Sequence, residues 1–173
     1  LSNPSAWPKS RATFYNAVTP ISGGERIEGS EDGNKATYTR IQTLVNADNT
    51  QYLLICDGHL VRRFDIKSKT EETLFNSKPF RQPYGMCYHA KWDALIVADT
   101  LNHCIKRVSH STGEVITIAG THGIPGHADS SVGASDNASN ALTTLFNAPR
   151  GVSVDQNTGD IYVADTKNHC IRK

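Results

Sequence analysis

Pro149-Arg150-Gly151-Val152-Ser153-Val154-Asp155, followed by Ile161-Tyr162-Val163-Ala164-Asp165-Thr166-Lys167-Asn168-His169-Cys170-Ile171-Arg172-Lys173, has a near copy 66 residues upstream. There Pro83-Tyr84-Gly85 leads to Val97-Ala98-Asp99-Thr100-Leu101-Asn102-His103-Cys104-Ile105-Lys106-Arg107. A more worn copy lies further upstream: Thr43-Leu44-Val45, Asp48-Asn49-Thr50 and Leu53-Leu54-Ile55-Cys56-Asp57 align, at an offset of 108, with Gly151-Val152-Ser153, Gln156-Asn157-Thr158 and Ile161 to Asp165. His59-Leu60-Val61-Arg62-Arg63-Phe64 then aligns with His103 to Val108. One supersecondary unit has been stamped out several times, and such a unit buries its apolar face only against others of its kind.

Within each copy, short β-branched runs such as Leu95-Ile96-Val97-Ala98 and Ile161-Tyr162-Val163-Ala164 are bounded by turn-prone stretches such as Asn157-Thr158-Gly159-Asp160. They are too short for helices and read as strands. Ile105 to Val108 supplies a third strand and Gly113 to Gly120 a fourth. Four antiparallel strands at a repeat of about 40 residues predict an all-β chain of propeller blades.

The pattern Pro-x-Gly-Val-x-Val-Asp, Ile-Tyr-Val-Ala-Asp-Thr and Asn-His-x-Ile-Arg from Pro149 to Arg172 resembles the NHL repeat. The resemblance covers the second and third copies closely and the first loosely. It implies a β-propeller of NHL-type four-stranded blades, with three blades' worth in this chain as the half or fragment of a six-bladed ring. As to function it implies no single activity, because the family includes protein-binding platforms, RNA-binding modules and enzyme scaffolds.

The expected organisation is an N-terminal arm over 1–13 and a propeller domain over 14–173. Its blades span about 38–76, 80–120 and 146–173, with an extra strand at 14–22. That strand rests on a further match: Ile21-Ser22-Gly23 with Ile27, Gly29 and Asp32 repeats Ile118-Ala119-Gly120 with Ile124, Gly126 and Asp129 at an offset of 97. Strands cut out of phase in this way predict a homodimer in which each N-terminal strand completes the partner's last blade. A fragment of a longer chain is the alternative. The Gly- and Ser-rich stretch from His122 to Ala141 reads as a long surface loop.

The chain has 173 residues, 38% of them apolar, enough for a sizeable core. No apolar run reaches membrane-spanning length, no signal-peptide core follows Leu1, and composition assigns no compartment. Because the chain begins at Leu1, removal of an upstream segment stays open. A net charge of +1, from 18 basic and 17 acidic residues, provides no overall field for nucleic acid. The basic pairs Arg62-Arg63, Lys106-Arg107 and Arg172-Lys173 do recur at one blade position. They read either as a basic ring for an acidic peptide or phosphate backbone, or as solvated strand ends that discourage edge pairing, the reading favoured here.

The four cysteines, at 56, 87, 104 and 170, contain no Cys-x-x-Cys pair. Equivalent positions in neighbouring blades lie too far apart for a bridge, so reduced thiols and no structural zinc are expected. His59, His103 and His169 also recur, but on third strands rather than at the axis, so no metal is assigned. Asp57, Asp99 and Asp165, repeated after each central strand, are read as turn-fixing acceptors, since a catalytic group is needed only once. No nucleophile motif or phosphate loop stands out, and no cofactor is expected.

The leading functional reading is a non-catalytic interaction scaffold binding a partner protein or peptide through a propeller face. The candidate contacts are the residues at inner-strand starts, Gln42, Tyr84 and Arg150, with Arg63, Arg107 and Lys173 as a second set. The alternatives are an RNA-binding module using the basic ring, and a metal-dependent lyase or hydrolase of the kind built on related propellers.

Overall fold

The structure, a computed structural model, describes residues 38–45, 51–57, 60–74, 80–129 and 141–173. The expected arm at 1–13, the strand at 14–22 and the middle of the 122–141 segment lie outside the described residues.

The described strands form three antiparallel sheets in which sequence order is spatial order. Blade one holds β1 (Tyr38–Val45), β2 (Gln51–Asp57), β3 (Leu60–Asp65) and β4 (Glu71–Thr73). Blade two holds β5 (Pro83–His89), β6 (Ala94–Asp99), β7 (Cys104–Ser109) and β8 (Val115–Ala119). Blade three holds β9 (Gly151–Val154), β10 (Ile161–Asp165) and β11 (Cys170–Arg172). No helix among the described residues is long and apolar enough to cross a membrane.

The core lies between sheets, as stacked blades require. Strand β6 is buried along its whole length because alternate side chains enter two different cores. Leu95 and Val97 join Leu54, Val61, Phe80, Met86 and Val108 between blades one and two. Ile96 and Ala98 join Ile105, Phe146 and Val163 between blades two and three. The far face of blade three repeats the second set: Tyr162 and Ile171 stand where Ile96 and Ile105 stand in blade two. Ile96 and Ile105 are 0% and 1% exposed, whereas Tyr162 and Ile171 are 38% and 70% exposed. The same apolar pattern therefore meets a neighbour at one position and solvent at the next.

The inner strands β5 and β9 approach so closely that a Cβ on Gly85 would lie 2.2 Å from the Arg150 carbonyl oxygen and 3.1 Å from Gly151 Cα. A Cβ on Gly151 itself would meet Ala164 Cβ at 3.2 Å. The tight approach thus belongs to Gly85, with Gly151 as one of the surfaces it faces.

Blade one differs from its sequence alignment. Thr43 pairs with Leu53, as Val154 pairs with Ile161, so β1 is displaced by three residues from the match of Thr43 with Gly151. A register irregularity between Tyr38 and Arg40 accompanies the shift. Gln42 consequently pairs with Leu54 in mid-strand and does not occupy the strand start at which Tyr84 stands.

Candidate functional site

The loops that lead into β5 and β9 and those that leave β6 and β10 gather at one end of the sheets. Each β6-type strand ends in a buried aspartate followed by one turn of 3-10 helix, Thr100–Asn102 or Thr166–Asn168, and by a histidine in the left-handed region, with φ of 54° at His103 and 55° at His169. The aspartates bind more than their own turns. Asp99 Oδ1 accepts from the Arg81 backbone N–H at 2.7 Å, Oδ2 accepts from Asn102 Nδ2 at 2.8 Å, and Lys106 Nζ lies 2.7 Å away. Asp165 repeats the set with the Asn147 N–H at 2.8 Å, Asn168 Nδ2 at 2.8 Å and Arg172 Nη1 at 3.3 Å. Each carboxylate is fully buried and ties the incoming loop, the outgoing turn and the third strand together.

These networks divide the basic pairs. Lys106 and Arg172 turn inward to aspartates, and Arg62 is fully buried beside Glu71 at 3.6 Å. Arg63, Arg107 and Lys173 face the other way, as period-two geometry demands. Arg63 pairs with Glu72 and lies 4.8 Å over the Tyr52 ring, while Lys173 pairs with Asp160 at 2.7 Å. Arg107 and Lys173 line a cleft of about 830 Å³ between the outer strands of blades two and three, along with Trp92, Ile116, Leu142 and Ile161.

Tyr84 and Arg150 are brought together. The Arg150 guanidinium lies 5.1 Å from the centre of the Tyr84 ring across the junction of blades two and three, and both side chains are exposed. The Arg150 backbone N–H is held by the Ala164 carbonyl at 3.0 Å, which fixes the base of the side chain. A cation over an aromatic face is favourable by about 0.5–1 kcal/mol at exposed sites. Among the described residues the second candidate set does not join this pair.

The same end holds residues that the repeat comparison passed over. Arg81 and Lys167 are exposed, on the loop before β5 and the turn after β10. His103 stands between them and accepts the Ala148 N–H on Nδ1 at 3.0 Å, linking blade two to blade three. Burial holds the His103 pKa below its usual value, and the nearby positive charges of Lys167 and Arg81 push it in the same direction. Arg81 and Lys167 are not repeated, since Asn147 and Leu101 stand at their counterparts. The missed signal is that non-repetition at a repeated position. The spacing of Asp, Asn and a basic residue at Asp99, Asn102, Lys106 and at Asp165, Asn168, Arg172 was also legible, as a recurring set rather than as separate residues.

Three described cysteines, Cys87, Cys104 and Cys170, are free thiols, and burial pushes the pKa of Cys87 and Cys104 up to about 12. Among the described residues no cluster of three or more His, Cys, Asp or Glu side chains is placed to hold a metal.

Antiparallel sheets whose strands follow in sequence order from the inner strand outward, stacked one on the next, define the class as a β-propeller chain. Residues 146–173 match the NHL repeat. NHL repeat-containing protein 2 of Bos taurus is 38% identical over 92 residues, which are 53% of this chain and 11% of that protein. The chain therefore matches only about a tenth of the length of this relative. Two Bacteroides thetaiotaomicron VPI-5482 structures share the fold at 17% identity. One is a structural genomics protein of unknown function, with a TM-score of 0.63 over 92% of this chain and 39% of that one. The other is an auxiliary nutrient binding protein, with a TM-score of 0.58 over 84% of this chain and 38% of that one.

Proposed function

We propose that this chain is a non-catalytic interaction scaffold that binds a partner protein through the end of the propeller bearing Tyr84 and Arg150. The observation that carries the reading is the pairing of these two side chains. An aromatic and an arginine, the residue types that dominate binding hot spots, are held together and exposed at a junction of rigid strands. The repeated polar groups at this end are consumed by the Asp99 and Asp165 networks, so what remains available is the set that does not repeat. The test is affinity capture with the wild-type chain and with a Tyr84→Ala, Arg150→Ala double variant. The reading expects a protein retained by the wild type after ribonuclease treatment and lost with the variant. Equal retention by both refutes it.

Assembly into a homodimer is a second reading, supported by the exposed far face of blade three. Tyr162 and Ile171 repeat positions that are buried between blades two and three, so a further blade fits there. In this reading a second copy supplies it. Light scattering tests this: a dimer that falls apart on Ile171→Asp substitution supports it, and a folded monodisperse monomer refutes it.

A further inference from the structure

Charge at the Tyr84 end is arranged in a way that the repeat does not explain. Arg81, Arg150 and Lys167 are all exposed and lie in loops at the same end of blades two and three, before β5, before β9 and after β10, and no ion pair of theirs is found among the described residues. The carboxylates that could neutralise them, Asp99 and Asp165, are fully buried and already engaged by Lys106 and Arg172. The exposed carboxylate at this end among the described residues, Asp129, is taken by Arg172. The backbone fixes Arg81 and Lys167 on either side of His103: the Arg81 carbonyl accepts the Leu101 N–H at 3.0 Å, the Asn147 carbonyl accepts the Lys167 N–H at 3.0 Å, and His103 Nδ1 accepts the Ala148 N–H at 3.0 Å between them. The opposite end mixes signs, with Asp65, Asp93, Glu114, Asp155 and Asp160 beside Lys67, Lys69 and Lys91.

We infer that the junction lined by Arg81, Arg150, Lys167 and Tyr84 binds an acidic, extended polypeptide segment. The inference rests on the reading of this end as the ligand face and adds the chemistry of the partner. Two features favour carboxylates over a phosphate backbone. Sequence-tolerant binding of single-stranded nucleic acid relies on aromatic faces on which bases stack. Here one face of Tyr84 is covered by Arg150, and Phe80 and Phe146 are buried. The cations are also confined to one junction instead of following a groove, in a chain whose net charge is only +1.

The test is fluorescence anisotropy of the 173-residue chain with three labelled probes: a deca-glutamate peptide, a deca-glutamine peptide and a deca-uridine RNA. The expected result is binding of the glutamate peptide alone, weakening as salt rises. Arg81→Gln and Lys167→Gln should each weaken it by about threefold and together by about tenfold. Lys91→Gln, at the opposite end, should have no effect. Thermal melts confirm that each variant is folded. Failure of the glutamate peptide to bind better than the glutamine peptide overturns the inference and leaves the Tyr84 and Arg150 capture experiment to judge the face. Tighter binding of the RNA also overturns the acidic-peptide chemistry. If Lys91→Gln weakens peptide binding as much as Arg81→Gln does, the face itself is misassigned.

Discussion

Replacing Gly85 with alanine adds one methyl group at the point where two blades meet backbone to backbone. The new Cβ would stand 2.2 Å from the Arg150 carbonyl oxygen, more than 1 Å inside an ordinary contact, and 3.1 Å from Gly151 Cα. Neither neighbour is the flexible tip of a side chain, so β5 and β9 must move apart. Such a shift also opens the packing of Ile96, Ala98 and Val163 behind them. Overpacking typically costs 1–3 kcal/mol, and rigid backbone on both sides places this case near ~3 kcal/mol. For a chain of this size that corresponds to a fall in Tm of about 6–12 °C. Gly151→Ala is the internal control, because its Cβ meets Ala164 Cβ at 3.2 Å and needs an adjustment of only a few tenths of an ångström. Circular dichroism melts and urea titrations of both variants provide the comparison. A Gly85→Ala protein as stable as the wild type, or a Gly151→Ala protein that is the less stable of the two, refutes the assignment of the tight approach to Gly85.

Asp99→Ala should cost about 3–5 kcal/mol in urea unfolding, because it strands the buried Lys106 ammonium and the Arg81 N–H. Adding Lys106→Met should restore part of that loss, and strict additivity of the two changes would show that the pair is not coupled. For pH, His103 has a folded pKa below its ordinary 6.5, so the unfolded chain binds the extra proton first. Its contribution to stability is complete above about 6.5 and is lost as pH falls below that value. A His103→Gln variant should show a flatter loss of Tm between neutral and mildly acidic pH than the wild type, and an unchanged slope would rule out His103 as its source. Cys87 and Cys104, with thiols raised to about 12, should resist alkylation at pH 8 in the native chain and react once it is unfolded; rapid native labelling by mass spectrometry would contradict their burial.

The sequence by itself determined the architecture, because a blade cannot be stable alone and the near-identity of the two units ending at Arg107 and Lys173 required stacked sheets. It also showed that Lys106 and Arg107 point opposite ways, a direct consequence of strand periodicity. It did not determine where their partners were. Asp99 lies 18 residues from the N–H it accepts at Arg81, a contact set by how the incoming loop crosses the end of the sheet. The worn first copy aligns three residues out at Gln42, because Thr43 pairs with Leu53 ten residues on whereas its counterpart Val154 pairs with Ile161 seven residues on, a difference in hairpin length that the Leu53 to Asp57 match does not reveal. The candidate site was half legible for a similar reason. Tyr84 and Arg150 occupy matching positions in different blades, and only the stacking of β5 on β9 turns that equivalence into contact. Arg81, His103 and Lys167 are far apart in the chain and unrelated by the repeat. Their convergence exists only because His103 reaches across to the Ala148 N–H and draws the turn of one blade against the loop of the next.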